Sequence, residues 1–388
     1  MAIYYEEFDT TAGGLVAALQ SKIVAHAAWD ALTPTGVPSF TNTAQIAASS
    51  QSFAVSSVTG LFIGQRIKWT VSSVVYTRTI TDIVVGTNTL TISTSIGVIT
   101  PITTTIVADV NLVKATTTRG AEMILDLQAG RDDMDTLRLT TRWWRTMPAS
   151  YSSANPQAEA VDRFVYWRSS GGSLAHNLHV TLSVGKEHLF IAIEGPRWNE
   201  AGALNAQYGS GKNYLFMSDL VPYHAADTSP VVVAGASSYI SGASAATTQS
   251  SHECEVSRNY ANNTSWSTGR CASLAFPSVR STEAINFQRD CTIDGKTYLF
   301  PYVYLSNSEG IRGRLARFFN AGMTHPTAYA DIGDPVGSKV TYDGVTYKLL
   351  AVNKSDSSLF SWGPLGAASN SAAQAAFISP VIAVPFSE

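Results

Sequence analysis

Apolar and polar residues alternate most clearly over residues 177–223. Every second position from 180 to 184 is Val or Leu, with Thr and Ser between them, which is the period-2 pattern of a strand with one buried face. Gly185–Lys186 can turn the chain, so that residues 189–193 return as a more apolar strand and residues 214–217 supply a third. The pattern predicts an antiparallel sheet around which the other segments are organised.

A helical pattern occurs near the N-terminus, where apolar residues recur at every fourth position. It predicts the only long helix of the chain over residues 11–32, ended by Pro34. The apolar stripe consists of Leu15, Leu19, Ile23 and Ala27, and the candidate N-caps are Asp9, Thr10 and Thr11. Residues 35–48 are a polar connector, and we assign residues 1–48, as an arm and a helix, to the main domain.

Residues 49–110 differ from the rest of the chain in composition. Charged residues almost vanish there, and Val, Ile, Thr and Ser dominate. Four short strands are expected, at residues 53–55, 66–71, 76–81 and 90–93, with Gly and Asn at the turns between them. These strands predict a small β-barrel inserted as a separate unit into a main domain that continues over residues 111–388.

The alternating pattern resumes after this insert, at residues 123–127, 137–143 and 164–168. Asp294–Gly295 and Asp343–Gly344 each lie between strand-like runs and predict tight hairpins. We therefore expect a mainly β protein: an antiparallel β-sandwich or jelly-roll-like main domain, with one N-terminal helix and an inserted small β-barrel.

Three segments have less regular patterns. Residues 229–251 are rich in Ala, Ser, Gly and Thr, which indicates a flexible surface loop or an extended arm laid on a neighbouring molecule. Residues 366–376 suggest a short Ala-rich helix. The tail at residues 377–386 is apolar and contains two prolines, so we expect it to dock on another surface.

Low charge distinguishes the chain from a typical soluble domain. Charged residues make up 14% of it, against roughly 25% in ordinary domains, and 17 of its 26 basic residues are Arg. A surface with few charges is poorly protected against association, and protein interfaces favour Arg over Lys. A secreted protein with neutral loops would also fit, but the composition favours surface that is buried between subunits.

The remaining composition excludes several classes of protein. A net charge of −3 provides no basic field for nucleic acid. Cys254, Cys271 and Cys291 form neither a C-x-x-C motif nor an even disulfide set. The N-terminal sequence lacks the basic and apolar regions of a secretory signal, and no apolar run approaches the roughly 20 residues of a membrane span. We expect synthesis in the cytoplasm, with no membrane span and no nucleic-acid partner.

Motifs that would carry chemistry fail their spacing tests. The GSGK run at 209–212 lacks the upstream Gly and the following Ser or Thr of a phosphate loop, and no G-x-S-x-G occurs. Cys254 lies between two glutamates, which disfavours a reactive thiolate. The acidic run at 132–135 lacks the spacing of a calcium loop. The histidines at 179 and 188 are too far apart along their strands to bind one metal ion, and the position of His176 stays open. We therefore predict no catalytic, cofactor-binding or metal-binding residue, although a glycosidase-type carboxylate pair stays open.

Two sets of residues are candidates for binding. The candidate subunit-contact residues are Arg312, Arg314, Arg317 and Phe386, with the last two arginines expected on one helix face at a spacing of i, i+3. The candidate glycan-contact residues, which stack on sugars if the protein recognises a surface polysaccharide, are Trp143, Trp144, Trp198 and Trp266.

Three features together resemble the structural proteins of tailed-bacteriophage virions. They are the opening EEFDTTAGGLVAALQSKI, the Gly60-LFI-Gly64 module that is similar to small β-barrels inserted in phage tail and baseplate proteins, and the closing hairpin YDGVTYKLLAV. The resemblance implies a non-enzymatic subunit of the tail, baseplate or neck, located in the virion and contacting copies of itself and other virion proteins. A receptor-binding or decoration protein that recognises host-surface glycans is the alternative, and a wall or capsule hydrolase is a third possibility.

Overall fold

The chain is mainly β in its computed structural model, and its sheets are antiparallel. The structure describes residues 2–144 apart from 12, 34, 62–64, 94 and 132–136; beyond residue 144 it describes residues 160–168, 177–194, 213–222, 232–237, 253–256, 267–271, 292–293, 296–297, 302–305, 310–317, 319–324, 337–342, 344–351 and 379–388. The predicted mainly β fold class is confirmed, and the structure also contains a curled, half-barrel sheet that was not predicted.

The elements follow one another in this order. The helices are α1 Leu15–Val24 and the short 3₁₀ helix Val85–Thr87. The strands are β1 Ile3–Thr11, β2 Trp29–Leu32, β3 Ser39–Thr41, β4 Ser52–Ala54, β5 Arg66–Val71, β6 Val74–Val84, β7 Thr89–Ile92, β8 Thr105–Ala108, β9 Leu112–Thr116, β10 Glu122–Arg131, β11 Leu137–Trp144, β12 Ala160–Arg168, β13 Asn177–Gly185, β14 His188–Glu194, β15 Asn213–Pro222, β16 Val232–Ser237, β17 Glu253–Val256, β18 Ser267–Cys271, β19 Thr292–Ile293, β20 Lys296–Thr297, β21 Tyr302–Leu305, β22 Gly310–Leu315, β23 Phe319–Thr324, β24 Lys339–Tyr342, β25 Val345–Ala351 and β26 Ser379–Pro385.

The largest sheet contains the three strands predicted from the alternating pattern. Its order is β1-β13-β14-β15-β16-β17-β18-β21-β22. β22 also pairs with β15, through Leu220↔Leu315 and Pro222↔Gly313, so the sheet curls back on itself. A five-stranded sheet, β12-β11-β10-β9-β2, and α1 pack against it, and their apolar residues form one core with those of β13–β15.

The predicted helix over residues 11–32 is too long. Thr11 belongs to β1, and α1 ends at Val24, while residues 29–32 form β2 and pair with β9. The helix ends here because the ring nitrogen Nδ1 of His26 accepts a hydrogen bond from the backbone N–H of Ala28 (3.1 Å), which offers the backbone a local alternative to the next helical turn. The predicted N-caps Asp9, Thr10 and Thr11 are wrong, because they lie in β1 and the N-cap of α1 is Gly14, which has no side chain to cap the helix. Oγ1 of Thr11 accepts a hydrogen bond from the N–H of Gly14.

The insert is a closed six-stranded barrel, built from residues 39–108. Its strands neighbour one another in the order β3-β8-β5-β6-β7-β4. A bridge between Asn42 and Val55 joins the two ends of that order and closes the ring. The interior has its own apolar cluster, formed by residues such as Phe40, Ile67, Trp69, Ile80, Leu90 and Ile106.

The barrel begins earlier than predicted, because β3 lies inside the expected connector at 35–48. The alternation there was too short to recognise, since β3 has three residues and only Phe40 is buried in it. The predicted division into residues 1–48, 49–110 and 111–388 otherwise stays a prediction. A small apolar cluster lies where the chain enters and leaves the barrel. It consists of Leu32, Val37, Val110, Leu112 and Ile124.

Deleting the whole barrel should leave the main domain folded. The barrel core and the main core are separate clusters, so a short Gly/Ser linker in place of residues 39–108 should shift the thermal midpoint by only a few degrees. Deleting residues 49–110 instead should lower the thermal midpoint further, because this deletion leaves β3 without its partner β8 and removes Val110 from the cluster at the base of the barrel. Differential scanning calorimetry measures both variants, and loss of cooperative unfolding in the first would contradict the division.

Two hairpins and the docked tail form where the sequence predicted them. Thr292–Ile293 pairs with Lys296–Thr297 across Asp294–Gly295, and Tyr342 pairs with Val345 across Asp343–Gly344. Gly344 has φ 71°, the left-handed conformation that such turns require and that Gly adopts at no steric cost. The tail docks as β26 between β23 and β25.

Part of the segment at 229–251 is a strand rather than a loop. Residues 232–237 form β16, which pairs with β15 and β17, and Val232 is buried. The first residues of this segment are apolar enough to join the sheet although the composition of the whole segment indicates a loop. The other residues of 229–251, and the helix suggested at 366–376, lie outside the described residues.

Candidate functional site

Charged and polar side chains gather around the turn between β13 and β14. We call this group the polar junction; its members are Arg119, Ser183, Glu187, His188, Ser218, Asp219 and Arg317. The turn is Lys186–Glu187, and Gly185 pairs with His188 across it. The turn predicted at Gly185–Lys186 was therefore one residue too early, and Ser183 pairs with Phe190 in the ladder.

Arg317 is held inside the chain by an ion pair. Its Nη2 lies 2.7 Å from Oε2 of Glu187, and the two side chains are 18% and 11% exposed. Arg317 follows β22, and Arg314 lies within that strand, so the helix face predicted for these two arginines is wrong. Because the Arg317 guanidinium already neutralises Glu187, its first role is to fasten the end of β22 to the β13–β14 turn.

Asp219 places a buried carboxylate in the polar junction. Its side chain is buried, its Oδ2 lies 4.0 Å from Nε of Arg119, and its Oδ1 has no hydrogen-bond partner among the described residues. Burial raises the pKa of Asp219 to about 6, and the nearby Glu187 carboxylate contributes to the rise. Its backbone is well bonded, since its N–H donates to Glu187 and its C=O accepts from Ala316.

The pair of Ser183 and His188 invites comparison with a catalytic dyad. Ser183 Oγ lies 2.9 Å from Nε2 of His188, and both residues are buried. However, the Ser183 hydroxyl donates its only proton to the carbonyl oxygen of Pro385, 2.6 Å away. Nε2 of His188 must therefore carry a proton and donate it to Ser183, so the imidazole cannot act as the base that activates this hydroxyl.

The hydrogen bonds of Ser183 serve a structural purpose instead. They tie the end of β26 to the β13–β14 hairpin, 202 residues away in sequence. Burial, reinforced by Arg317 and His26, lowers the pKa of His188 to about 3, so the ring stays neutral in the folded protein.

Replacing His188 with Gln should change how stability depends on pH. In the wild type the unfolded chain binds a proton at His188 below pH 6.5, whereas the folded chain does not until about pH 3, so acidification through this window favours unfolding. The His188→Gln variant lacks this term and should gain about 2 kcal/mol relative to the wild type between pH 7 and pH 5. Urea denaturation at a series of pH values measures the difference.

Asp219→Asn is the matched variant, and it should change the pH dependence of stability in the opposite direction. The Asp219 pKa is raised from 3.8 to about 6, so the ionised carboxylate destabilises the folded protein above pH 6 and this penalty disappears on acidification. The Asn variant should therefore lose about 2 kcal/mol relative to the wild type between pH 6.5 and pH 4. Parallel pH profiles for the two variants would contradict the roles assigned to both groups.

Phe386, the fourth candidate contact residue, lies in a cluster formed by the two ends of the chain. Its ring packs edge-on against Tyr5 with centroids 4.8 Å apart, and Nζ of Lys339 lies 4.6 Å from its centre. Lys348 pairs with Glu7 (2.7 Å), and Ser387 donates to the carbonyl oxygen of Ile3. Phe386 is half-buried by this terminal cluster, and its contact with another subunit stays a prediction.

The remaining candidates that the structure describes lie in two different strands. Arg312 and Arg314 lie in β22, and Trp143 and Trp144 lie in β11, between β10 and β12. Trp198, Trp266 and His176 lie outside the described residues. The subunit and glycan contacts of these residues stay predictions.

Sequence reasoning missed Glu187, Asp219, Arg119 and the pairing of Ser183. A weak signal was present, because Asp219 interrupts the apolar residues of β15, where a carboxylate requires a partner. The partners come from distant segments, so the signal could not have identified them.

No family model matches this chain, and no curated protein matches it. Within the described ranges, no group of three or more His, Cys, Asp or Glu residues is arranged to hold a metal ion. No helix in the described part of the chain is long and apolar enough to cross a membrane.

Proposed function

We propose that this chain is a non-enzymatic structural subunit of a tailed-phage particle or a related contractile assembly, placed in the tail or baseplate and present in several copies. The observation that carries the proposal is the lack of charge on the inserted barrel. Arg66, Lys68, Arg78 and Asp82 are the only charged residues among residues 39–108. A folded unit of this size normally carries several times as many, since roughly a quarter of the residues of an ordinary domain are charged.

The three basic residues of the barrel are bonded to nearby groups. Arg66 and Lys68 pair with Asp109 beside the main domain, at 3.6 and 3.0 Å. Arg78 donates hydrogen bonds to the carbonyl oxygens of Ser95 and Ile96. A neutral surface of this kind promotes association and suits a subunit whose surface is covered by neighbours.

The polar junction supports a structural role for the main domain. Its serines, histidine and carboxylates are groups that an enzyme would use, yet they are buried, and Ser183 and Glu187 are bonded to distant segments of the chain. Such groups fasten the chain together. The phage context rests on the resemblance of the opening segment, the inserted module and the closing hairpin.

Particle purification tests the proposal. Particles from the source that encodes this chain are banded on a density gradient, and quantitative mass spectrometry counts the chain against other particle proteins. We expect several copies per particle, with immunogold label on the tail or baseplate. Absence from particles would overturn the proposal, and so would turnover of peptidoglycan, polysaccharide, ester or nucleotide substrates that a single point substitution abolishes.

A further inference from the structure

The barrel is joined to the main domain by two short segments of chain. We call them the stalk; they are residues 37–38, where the chain enters the barrel, and residues 109–111, where it leaves it. The apolar cluster at the base of the barrel is small, with five side chains among the described residues. Domains that share so small an apolar contact usually move against each other, so the polar bonds of the stalk decide whether this barrel does.

Asp109 is bonded to the barrel through both its backbone and its side chain. Its N–H donates to the carbonyl oxygen of Arg66 (2.8 Å), which continues the pairing of β8 with β5 by one residue. Its carboxylate lies 3.0 Å from Nζ of Lys68 and 3.6 Å from Nε of Arg66. The side chains of Asp109 and Arg66 are 12% and 15% exposed, so water and salt screen their attraction little. Asp109 therefore moves with the barrel.

Asn111 is bonded to β10 of the main domain. Its N–H donates to Oδ1 of Asp126 (2.8 Å), whose side chain is buried. Its side-chain amide donates to the carbonyl oxygen of Leu127 (3.1 Å), and its own carbonyl oxygen accepts from the N–H of Leu127 (3.1 Å). These hydrogen bonds hold Asn111 against two successive residues of β10, so Asn111 moves with the main domain.

Val110 is the one residue between these two anchors, and it is packed on both sides. Its side chain contacts the barrel core and also the cluster at the base of the barrel, as does the side chain of Val37 in the other segment of the stalk. The two segments are bonded to each other, because the N–H of Ala108 donates to the carbonyl oxygen of Pro38 (2.9 Å). β5 and β6 also approach β10.

A hinge requires residues whose backbone dihedral angles can change without breaking other contacts. Asp109 and Asn111 are each fixed by several hydrogen bonds, and the pyrrolidine ring of Pro38 restricts its own φ. Rotation at Val110 would remove its side chain from two apolar clusters at once. The stalk therefore offers no position at which a hinge motion is free of cost.

We infer that the stalk is a rigid coupling, which holds the barrel in one orientation on the main domain so that the two move as one body, and that Asp109 is the residue that fixes this orientation. The inference does not depend on the phage context. It has a consequence for assembly of any kind: a barrel already held in position loses no orientational freedom when a neighbouring molecule covers it, so association is opposed by less entropy.

Backbone ¹⁵N relaxation of the full-length, deuterated protein tests the inference in the wild type. The measurement gives one rotational correlation time for amides in β3–β8 and another for amides in β9, β10, β13 and β14. A rigid stalk makes the ratio of these two times equal to one, whereas a barrel on a loose tether tumbles faster than the remainder of the 388-residue chain. A clearly shorter correlation time for the barrel amides would overturn the inference.

Two matched substitutions test the role of Asp109. Asp109→Ala removes a carboxylate from Arg66 and Lys68, whereas Glu122→Ala removes one from Lys114 within the main domain. Each changes the net charge from −3 to −2. We expect the barrel correlation time to fall below that of the main domain in Asp109→Ala and to stay equal to it in Glu122→Ala. Equal times in both folded variants would overturn the role assigned to Asp109.

A Gly-Ser-Gly insertion between Val110 and Asn111 keeps the test decisive if Asp109→Ala unfolds the barrel. The insertion leaves the bonds of Asp109 with the barrel and those of Asn111 with β10 in place, and it lengthens only the chain between them. We expect the barrel to stay folded, as its amide spectrum would show, and to tumble faster than the main domain. If the two correlation times stay equal after the insertion, residues 109–111 do not hold the barrel and the inference is wrong.

Discussion

Replacing Arg317 with Met should lower the free energy of unfolding by about 3 kcal/mol. The substitution removes the guanidinium that lies 2.7 Å from Glu187 and leaves a carboxylate that is only 11% exposed without this counter-charge. Met keeps most of the length of the Arg stem, so packing changes little and the loss reports mainly on the ion pair. Urea denaturation at pH 7, followed by circular dichroism, measures the effect.

Two further variants show whether the loss of stability comes from the buried ion pair. Lys339→Met removes an ion pair with Glu388 whose side chains are 45% and 84% exposed, together with the contact of its ammonium group with Phe386, so its cost should be small beside that of Arg317→Met. Adding Glu187→Gln to Arg317→Met should restore part of the loss, because the buried charge is then absent. If Arg317→Met costs no more than Lys339→Met, Arg317 does not hold the polar junction together.

The internal role of Arg317 changes how the predicted arginine contact should be tested. Charge reversal at Arg317 would place two carboxylates together at the polar junction, so poor incorporation into an assembly could result from misfolding alone. Substitutions at Arg312 and Arg314 leave the pair of Glu187 with Arg317 intact. Those two positions therefore provide the informative test of a subunit contact.

Local pattern was sufficient to predict the elements whose structure depends on neighbours in sequence. The alternation over residues 180–184 predicted β13, and the uncharged Val- and Thr-rich composition predicted the barrel. Each of these signals reports burial of one face of a strand, which the order of residues records directly. The same applies to the hairpins at Asp294–Gly295 and Asp343–Gly344.

Errors arose where one contact decided between two local possibilities. The apolar period of α1 continues to Ala27, but the hydrogen bond from the N–H of Ala28 to His26 and the pairing of Trp29 with Ala115 end the helix earlier. The hairpin of β13 and β14 was misplaced by one residue, because both Gly185–Lys186 and Lys186–Glu187 can form a two-residue turn.

The polar junction depends on contacts that leave no periodic trace in the sequence. Ser183 contacts Pro385, 202 residues away, and Glu187 contacts Arg317, 130 residues away. Neither member of such a pair differs from an ordinary surface residue until the chain is folded. The exposure of Val74 and Val75 could not be predicted either, since exposure of a Val in a strand depends on register and not on its immediate neighbours.

Replacing Gly185 with Ala, beside the polar junction, should lower the free energy of unfolding by about 3 kcal/mol. A Cβ at this position would lie 2.5 Å from Cε1 and 2.7 Å from Nδ1 of His188, closer than such atoms can approach. The imidazole would have to move, which breaks its hydrogen bond to Ser183 and loosens the tie to Pro385. The carbonyl oxygen of Gly185 also accepts a hydrogen bond from Nε1 of the buried Trp29, so the backbone has little room to yield.

The second substitution His188→Ala distinguishes this collision from a general intolerance of Ala at position 185. Without the imidazole the added methyl group occupies vacated space, so Gly185→Ala should cost less than about 1 kcal/mol in the His188→Ala background. Gly86→Ala is the control, because a Cβ there meets no atom within 4 Å. Guanidinium denaturation of the four members of the cycle measures the coupling. An equal cost of Gly185→Ala with and without His188 would show that the strand backbone, and not the imidazole, requires glycine at this turn.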